Sequence, residues 1–161
     1  EAATIAELVQ RIDRHLRKFA ATRKFLTLFF GVMEPDTGTL RYVSAGHNPA
    51  LLLRGDGSVD RLESTGVPVG MLPNSSWKEE AWTMEPGDLL CVYSDGLTEA
   101  VDSADEEFGL DRLSREIAMR RNQPVKALCG EILDRVADFA AGMPQYDDQT
   151  LMLLRRTETP G

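Results

Sequence analysis

The sequence of 161 residues predicts an α+β fold in which antiparallel sheet is covered by helices. Three observations carry this expectation. Apolar periodicity changes in blocks: one helical stretch, about six short strands, two helices and a last strand, whereas a doubly wound parallel fold alternates strand and helix. The strands are joined by short segments rich in Gly, Pro, Asn and Asp, which suits hairpin connections. Neither a Walker loop nor a dinucleotide fingerprint occurs, so the phosphate-cradling signatures of parallel nucleotide-binding sheets are missing.

Ile5, Leu8, Val9, Ile12, Leu16 and Phe19 recur at helical spacing with charges between them, predicting an amphipathic helix over residues 3–20. Residues 25–33 read as a strand, Glu34-Pro35-Asp36-Thr37-Gly38 as a turn, and 39–45 as the antiparallel partner. Gly46-His47-Asn48-Pro49 breaks the chain before a strand at 50–54, and Gly55-Asp56-Gly57 turns it into 59–62, so these strands read as a meander. Residues 64–76 are expected to form a long surface loop or a short edge strand. A strand resumes at 77–84, Glu85-Pro86-Gly87-Asp88 turns tightly, and 89–94 reads as the most buried strand. Helices follow at 109–121, anchored by Leu110, Leu113 and Ile117, and at 124–141, anchored by Val125, Leu128, Ile132, Val136 and Phe139. Pro124 suits a first helical turn. The last strand is expected at 150–155, and 157–161 as a frayed tail.

With 42% apolar and 27% charged residues, the composition is that of one globular domain with a sizeable core. A net charge of -8 argues against nucleic acid or an anionic membrane as a partner held by general electrostatics. The basic group Arg11, Arg14, Arg17, Lys18, Arg23 and Lys24 reads as a solvated helix face. Cys91 and Cys129 fall in a strand and a helix and read as small buried hydrophobes, which favours a reducing, cytoplasmic compartment. No apolar run approaches the roughly 18 residues of a membrane span, and no charged-then-apolar leader is present. The opening Glu1-Ala2-Ala3 runs directly into a helical pattern without Met, so the chain is expected to be a piece of something longer.

The sharpest chemical signal is Asp95-Gly96, after the apolar run Leu89-Leu90-Cys91-Val92-Tyr93. A buried strand delivers its terminal side chain to the rim of a sheet, and Gly lets the backbone turn there. Asp147-Asp148 stands in the mirror position, just before the apolar run 151–154. Carboxylates gathered at such a rim repel one another unless a hard divalent cation neutralises them. The plainer reading of each is a turn aspartate closing a core strand. His47, between Gly46 and Asn48-Pro49, is either a ligand or proton shuttle or, more simply, a turn-stabilising histidine. His15 lies among charges in the first helix and carries no role. Asp56 also follows an apolar strand, but glycines on both sides mark a hairpin loop. No Ser-His-Asp or Cys-His arrangement is credible with these two histidines.

Tyr-Ser-Asp-Gly-Leu-Thr-Glu-Ala at 93–100, Ala-Gly-His-Asn-Pro at 45–49, Glu-Pro-Gly-Asp at 85–88, Phe-Gly at 108–109 and Asp-Asp-Gln-Thr at 147–150 occur together in order. In this the chain resembles the SpoIIE/RsbU-type bacterial serine phosphatases, within the metal-dependent PPM (PP2C-like) superfamily, from about Ala3 to Arg155. The resemblance implies an antiparallel β-sandwich flanked by helices in α-β-β-α layers, with two Mn²⁺ or Mg²⁺ ions bridged by water at one end. It implies that Asp95 and Asp147 are metal ligands, Asp148 an outer ligand, Gly96 part of the same motif, and Gly46 and His47 a structural loop. Two such ions about 3.5–4 Å apart activate a water and clamp the phosphoryl oxygens, so no protein nucleophile is needed.

A complete domain of this family carries an earlier Asp-Gly whose Asp bridges both metals, and no candidate for it precedes Asp95 here except the hairpin Asp56. Residues 1–156 are therefore expected to be the C-terminal two-thirds or so of a phosphatase domain, lacking its first strands and first metal motif. Exposed sheet edges then invite pairing with another chain, including a homodimer, and this segment alone is expected to bind Mn²⁺ weakly and hydrolyse little. The resemblance further implies a phosphoserine substrate on a STAS-type anti-sigma-factor antagonist, in a partner-switching pathway, and a sensor domain upstream. The rival reading is a pseudophosphatase, a protein-binding module that keeps the fold without the chemistry.

Overall fold

A computed structural model describes residues 3–19 and 24–157. The expectations for the frayed end beyond Thr157, for Arg23 and for the Phe19 side chain lie outside the described residues. In order, the elements are α1 (Ile5–Phe19), β1 (Leu28–Glu34), β2 (Thr39–Ala45), β3 (Ala50–Leu53), β4 (Val59–Leu62), β5 (Glu80–Thr83), β6 (Leu89–Tyr93), α2 (Asp95–Thr98), α3 (Leu110–Arg120), α4 (Val125–Ala140) and β7 (Leu151–Arg155). The pairings β1–β2, β2–β5, β3–β6 and β6–β7 are antiparallel, and with the helices this is the expected α+β class. No helix among the described residues is long and apolar enough to cross a membrane.

The strands do not form the expected meander. They sort into a three-stranded sheet ordered β1-β2-β5 and a four-stranded sheet ordered β4-β3-β6-β7, so the chain changes sheets at Gly46-His47-Asn48-Pro49. A turn sequence reports that the chain reverses, not which strand it pairs with next; long-range register decides that. The described residues accordingly divide into two compact units, one built from those up to Pro49 and Leu62–Glu85, the other from Ala50–Arg61 and those from Pro86 to Thr157.

In the first unit, Thr4 and Glu7 form a capping box at the start of α1: Glu7 N–H donates to Thr4 Oγ1 (3.1 Å) and Thr4 N–H to Glu7 Oε2 (2.9 Å). Ile5 and Val9 bury against Val43, Ala45, Val69 and Trp77, while Ile12 on the predicted apolar face is 39% exposed. Asp13 is buried and accepts from Gly70 N–H (2.8 Å) and Arg17 Nε (2.8 Å), tying α1 to the loop after β4. The strand expected at 77–84 shortens to β5, because Trp77 is instead a buried loop anchor whose indole N–H donates to the Val67 carbonyl (2.8 Å).

Tyr42 in β2 is fully buried, stacks on Phe29 at 5.3 Å and donates to Glu80 Oε2 (3.1 Å). Burial first, and the Glu80 carboxylate second, push its hydroxyl above the ordinary tyrosine range. An acid whose folded pKa is raised folds best while neutral. Its contribution is therefore complete below the unfolded value of about 10 and is lost as pH rises above it. Alkaline unfolding should start near that pH, and Tyr42→Phe should flatten the dependence in a pH-resolved melting series; an unchanged profile contradicts the assignment.

The core of the second unit is Leu51, Leu53, Leu89, Cys91 and Leu153 from the sheet, against Leu113 and Ile117 of α3 and Leu128, Ile132 and Val136 of α4. The two long helices thus cover this sheet with the apolar stripes read from their periodicity. β3 is buried at all four of its positions and β6 at four of its five, so β6 is not the single most buried strand expected. Cys91 is the small buried hydrophobe expected, its thiol pushed up to about 12 by burial. Cys129 departs from the expectation in being only partly buried. Asp56 is a hairpin residue: its Oδ1 accepts from Ser58 N–H (2.9 Å) and Ser58 Oγ (2.7 Å), which lowers its pKa.

Candidate functional site

The end of β6 and the start of β7 lie side by side because their register pairs Tyr93 with Leu151. One residue further on, Ser94 N–H donates to the Thr150 carbonyl (3.0 Å). The Ser94 hydroxyl accepts from Thr150 N–H (2.8 Å) and donates to the Asp148 carbonyl (2.7 Å). Ser94 stands at the N-cap of α2 yet makes no side-chain cap bond there, since its hydroxyl is committed across the gap. The ladder and this clamp bring the Asp95-Gly96 and Asp147-Asp148 segments together, which sequence separation alone does not show.

The segment that starts at Asp95 is a short helix, α2. Gly96 is not used for a left-handed turn. It is buried, and a Cβ built on it would lie 2.6 Å from the Asp148 carbonyl oxygen and 3.1 Å from that of Asp147. Glycine is required here for close approach of backbone to backbone. Gly96→Ala should cost about 1–3 kcal/mol by overpacking and push residues 147–148 away. A variant with wild-type melting temperature and wild-type phosphate release contradicts this.

Asp95, Asp147 and Asp148 are all exposed. Asp95 Oδ1 accepts from Gly96 N–H (3.0 Å), and Asp147 Oδ1 from Asp148 N–H (2.7 Å). These bonds fix both carboxylates locally, and the second oxygen of each makes no hydrogen bond among the described residues. The donors are hard oxygens, which suit Mg²⁺ or Mn²⁺; Mg²⁺ in particular is commonly held by one or two carboxylates while keeping several waters. No group of three or more His, Cys, Asp or Glu that could hold a metal occurs among the described residues.

Gly46 and His47 belong to the first unit and have their own structural partners. Gly46 has a φ of 64° and a Cβ there would meet Pro68, while its N–H donates to Ser64 Oγ (3.0 Å) and the Gly66 carbonyl (2.9 Å). His47 packs edge-on to Phe29 at 6.5 Å, as a loop residue would.

Sequence reading missed three features. Ser94 could have been found as the hydroxyl at the strand end beside Asp95. Asp88, read as a turn residue, has a side chain only 2% exposed that accepts from Arg54 Nη1 (2.9 Å) and Gly55 N–H (2.9 Å). Burial disfavours the Arg54 charge, but its bonds to Asp60 and Asp88 outweigh this and hold its pKa above the usual value. A cavity of about 230 Å³ opens beside the aspartate pair, with Gly96 and Asp147 in its wall; the small residues of α4 that line it, Ala137 and Ala140, were its only trace in the sequence.

Comparison with known proteins gives this geometry a family. The family model described as stage II sporulation protein E (SpoIIE) matches residues 1–157. Protein IcfG of Synechocystis sp. is 36% identical over 132 residues, covering 82% of this chain and 21% of IcfG. The phosphoserine phosphatase RsbU of Bacillus subtilis is 26% identical over 155 residues, covering 94% of this chain and 45% of RsbU. The chain thus spans less than half the length of either relative. Among solved structures, the RsbU and RsbW domains of Rv1364c from Mycobacterium tuberculosis match with a TM-score of 0.79 and 26% identity, over 99% of this chain and 45% of that one. The SiaA-PP2C domain of Pseudomonas aeruginosa matches with a TM-score of 0.82 and 18% identity, over 93% of this chain and 60% of that one. The fold is therefore α+β and PP2C-like, and the chain belongs to the SpoIIE family of PP2C-type phosphatase domains.

Proposed function

We propose that this chain is catalytic-domain sequence of a metal-dependent protein serine/threonine phosphatase that hydrolyses phosphoserine on a regulatory protein. One observation carries the reading: the β6–β7 register and the Ser94 clamp hold Asp95 and Asp147 on adjoining backbone segments. Asp95 and Asp147 would hold Mn²⁺ or Mg²⁺ through their free oxygens, with Asp148 as an outer ligand. When bound, a pair of such ions supplies an activated water and neutralises phosphoryl charge. The chain's own share is positional. Ser94 fixes the distance between the two segments, and Gly96 permits their approach.

The names of two relatives support the phosphoserine assignment, since RsbU and RsbP of Bacillus subtilis are both described as phosphoserine phosphatases. For the metal, RsbX is described in complex with magnesium and the SpoIIE phosphatase domain as presoaked with Mn. The substrate we favour is a phosphorylated STAS-type anti-sigma-factor antagonist, in keeping with the sequence resemblance. The test is phosphate release from such a phosphoprotein by the full-length gene product, with Mn²⁺ and with EDTA. Release in Mn²⁺ that EDTA abolishes is expected; release that persists unchanged in EDTA overturns the metal-dependent reading.

A further inference from the structure

The cavity beside the aspartate pair has a chemistry that the metal reading leaves unused. Gly96, Asp147 and the small side chains of Ala100, Val101, Ala137 and Ala140 line it, together with residues 142–146 and the polar Gln149. Glu99 also lines it, and no Lys or Arg does. Glu99 follows α2 directly: its backbone N–H donates to the Asp95 carbonyl (2.8 Å), so its position is tied to that of Asp95. Its exposed carboxylate forms no ion pair among the described residues. A cavity that combines small apolar side chains with the Glu99 and Asp147 carboxylates complements a side chain with an aliphatic stem and a cationic head.

We propose that this cavity is a recognition pocket for a lysine or arginine of the substrate protein that flanks the phosphoserine. The inference rests on the phosphatase reading above, which places the phosphoserine at the Asp95 and Asp147 pair. Because Asp147 belongs to both the pair and the cavity wall, and the wall residue Gly96 directly follows Asp95, an extended substrate advancing about 3.3 Å per residue reaches the pocket within about three residues of the phosphoserine. The stem packs against the four small side chains and the cation faces Glu99. An acidic side chain in the same place meets only like charge.

The experiment compares phosphoserine peptides that carry Lys, Ala or Glu at each flanking position, using the full-length gene product. Phosphate release is measured in Mn²⁺, and peptide binding separately in EDTA by fluorescence anisotropy, with p-nitrophenyl phosphate as a substrate that has no flanking residue. At one flanking position the Lys peptide should bind about fivefold tighter than the Ala peptide, the scale of a partly exposed ion pair, and the Glu peptide weaker than either. The same ratio should appear in kcat/KM, through KM rather than kcat, and Glu99→Gln should reduce the Lys-to-Ala ratio towards one. Equal binding of Lys and Ala peptides at every position, with p-nitrophenyl phosphate hydrolysed normally, overturns the pocket and leaves the phosphatase reading standing. Loss of hydrolysis of every substrate overturns the phosphatase reading itself, and the pocket assignment with it.

Discussion

Asp147→Asn is expected to lower Mn²⁺-dependent phosphate release by at least about a hundredfold, since even outer-shell partners of metal ligands commonly cost 10–100-fold. Asp95→Asn should do the same. Asparagine keeps the Oδ1 acceptor for the local backbone bonds, Gly96 N–H to Asp95 and Asp148 N–H to Asp147, so the turn survives while the anionic charge is lost. The measurement is kcat/KM against Mn²⁺ concentration, beside a melting curve in EDTA. Each variant should melt like wild type in EDTA and fail to recover full rate at high Mn²⁺. Wild-type activity in both would show that these aspartates only close their strands. Asp148, whose side chain makes no hydrogen bond among the described residues, should cost less when replaced, as an outer ligand would.

Asp88→Ala is expected to be the most destabilising charge removal in the second unit, at about 3 kcal/mol, the lower end of the cost of breaking a buried pair. The side chain is 2% exposed and Arg54 only 22%, so its loss removes the buried partner of the guanidinium and the acceptor of the Gly55 N–H together. Arg54 is also held by Asp60 at 2.6 Å, and Asp60 is 37% exposed. Asp60→Ala should therefore cost under about 1 kcal/mol, as exposed pairs do. Arg121 donates to the Arg54 carbonyl, which links this cluster to the end of α3. Denaturant titrations of the two variants decide the matter: equal costs would mean that Asp88 is not the buried partner it is by geometry.

Much of the second unit was legible because its helices are periodic. Leu113, Ile117, Leu128, Ile132 and Val136 are all buried as their spacing predicts, and the Asp56 hairpin followed from its flanking glycines. The meander failed because hairpin turns carry no information about which sheet the next strand joins. Strand 77–84 contracted because Trp77, a good strand former by type, is held by Val67 in a loop. Gly96 was noticed for the wrong reason: a turn was expected, and the actual demand is the nearness of the Asp148 carbonyl. Asp88 looked like any turn aspartate, since nothing local reports that Arg54 lies against it.

By itself the sequence determined the α+β class, the positions of the long helices and the identity of the carboxylates at two strand ends, because these depend on local periodicity and residue type. The tertiary structure decided which strands share a sheet, that Ser94 joins the two aspartate segments, and that a cavity with Glu99 at its edge opens beside them. Those depend on partners distant in sequence, as Ser94 and Asp148 are with a separation of 54. No local pattern encodes such pairings; only register between β6 and β7 does.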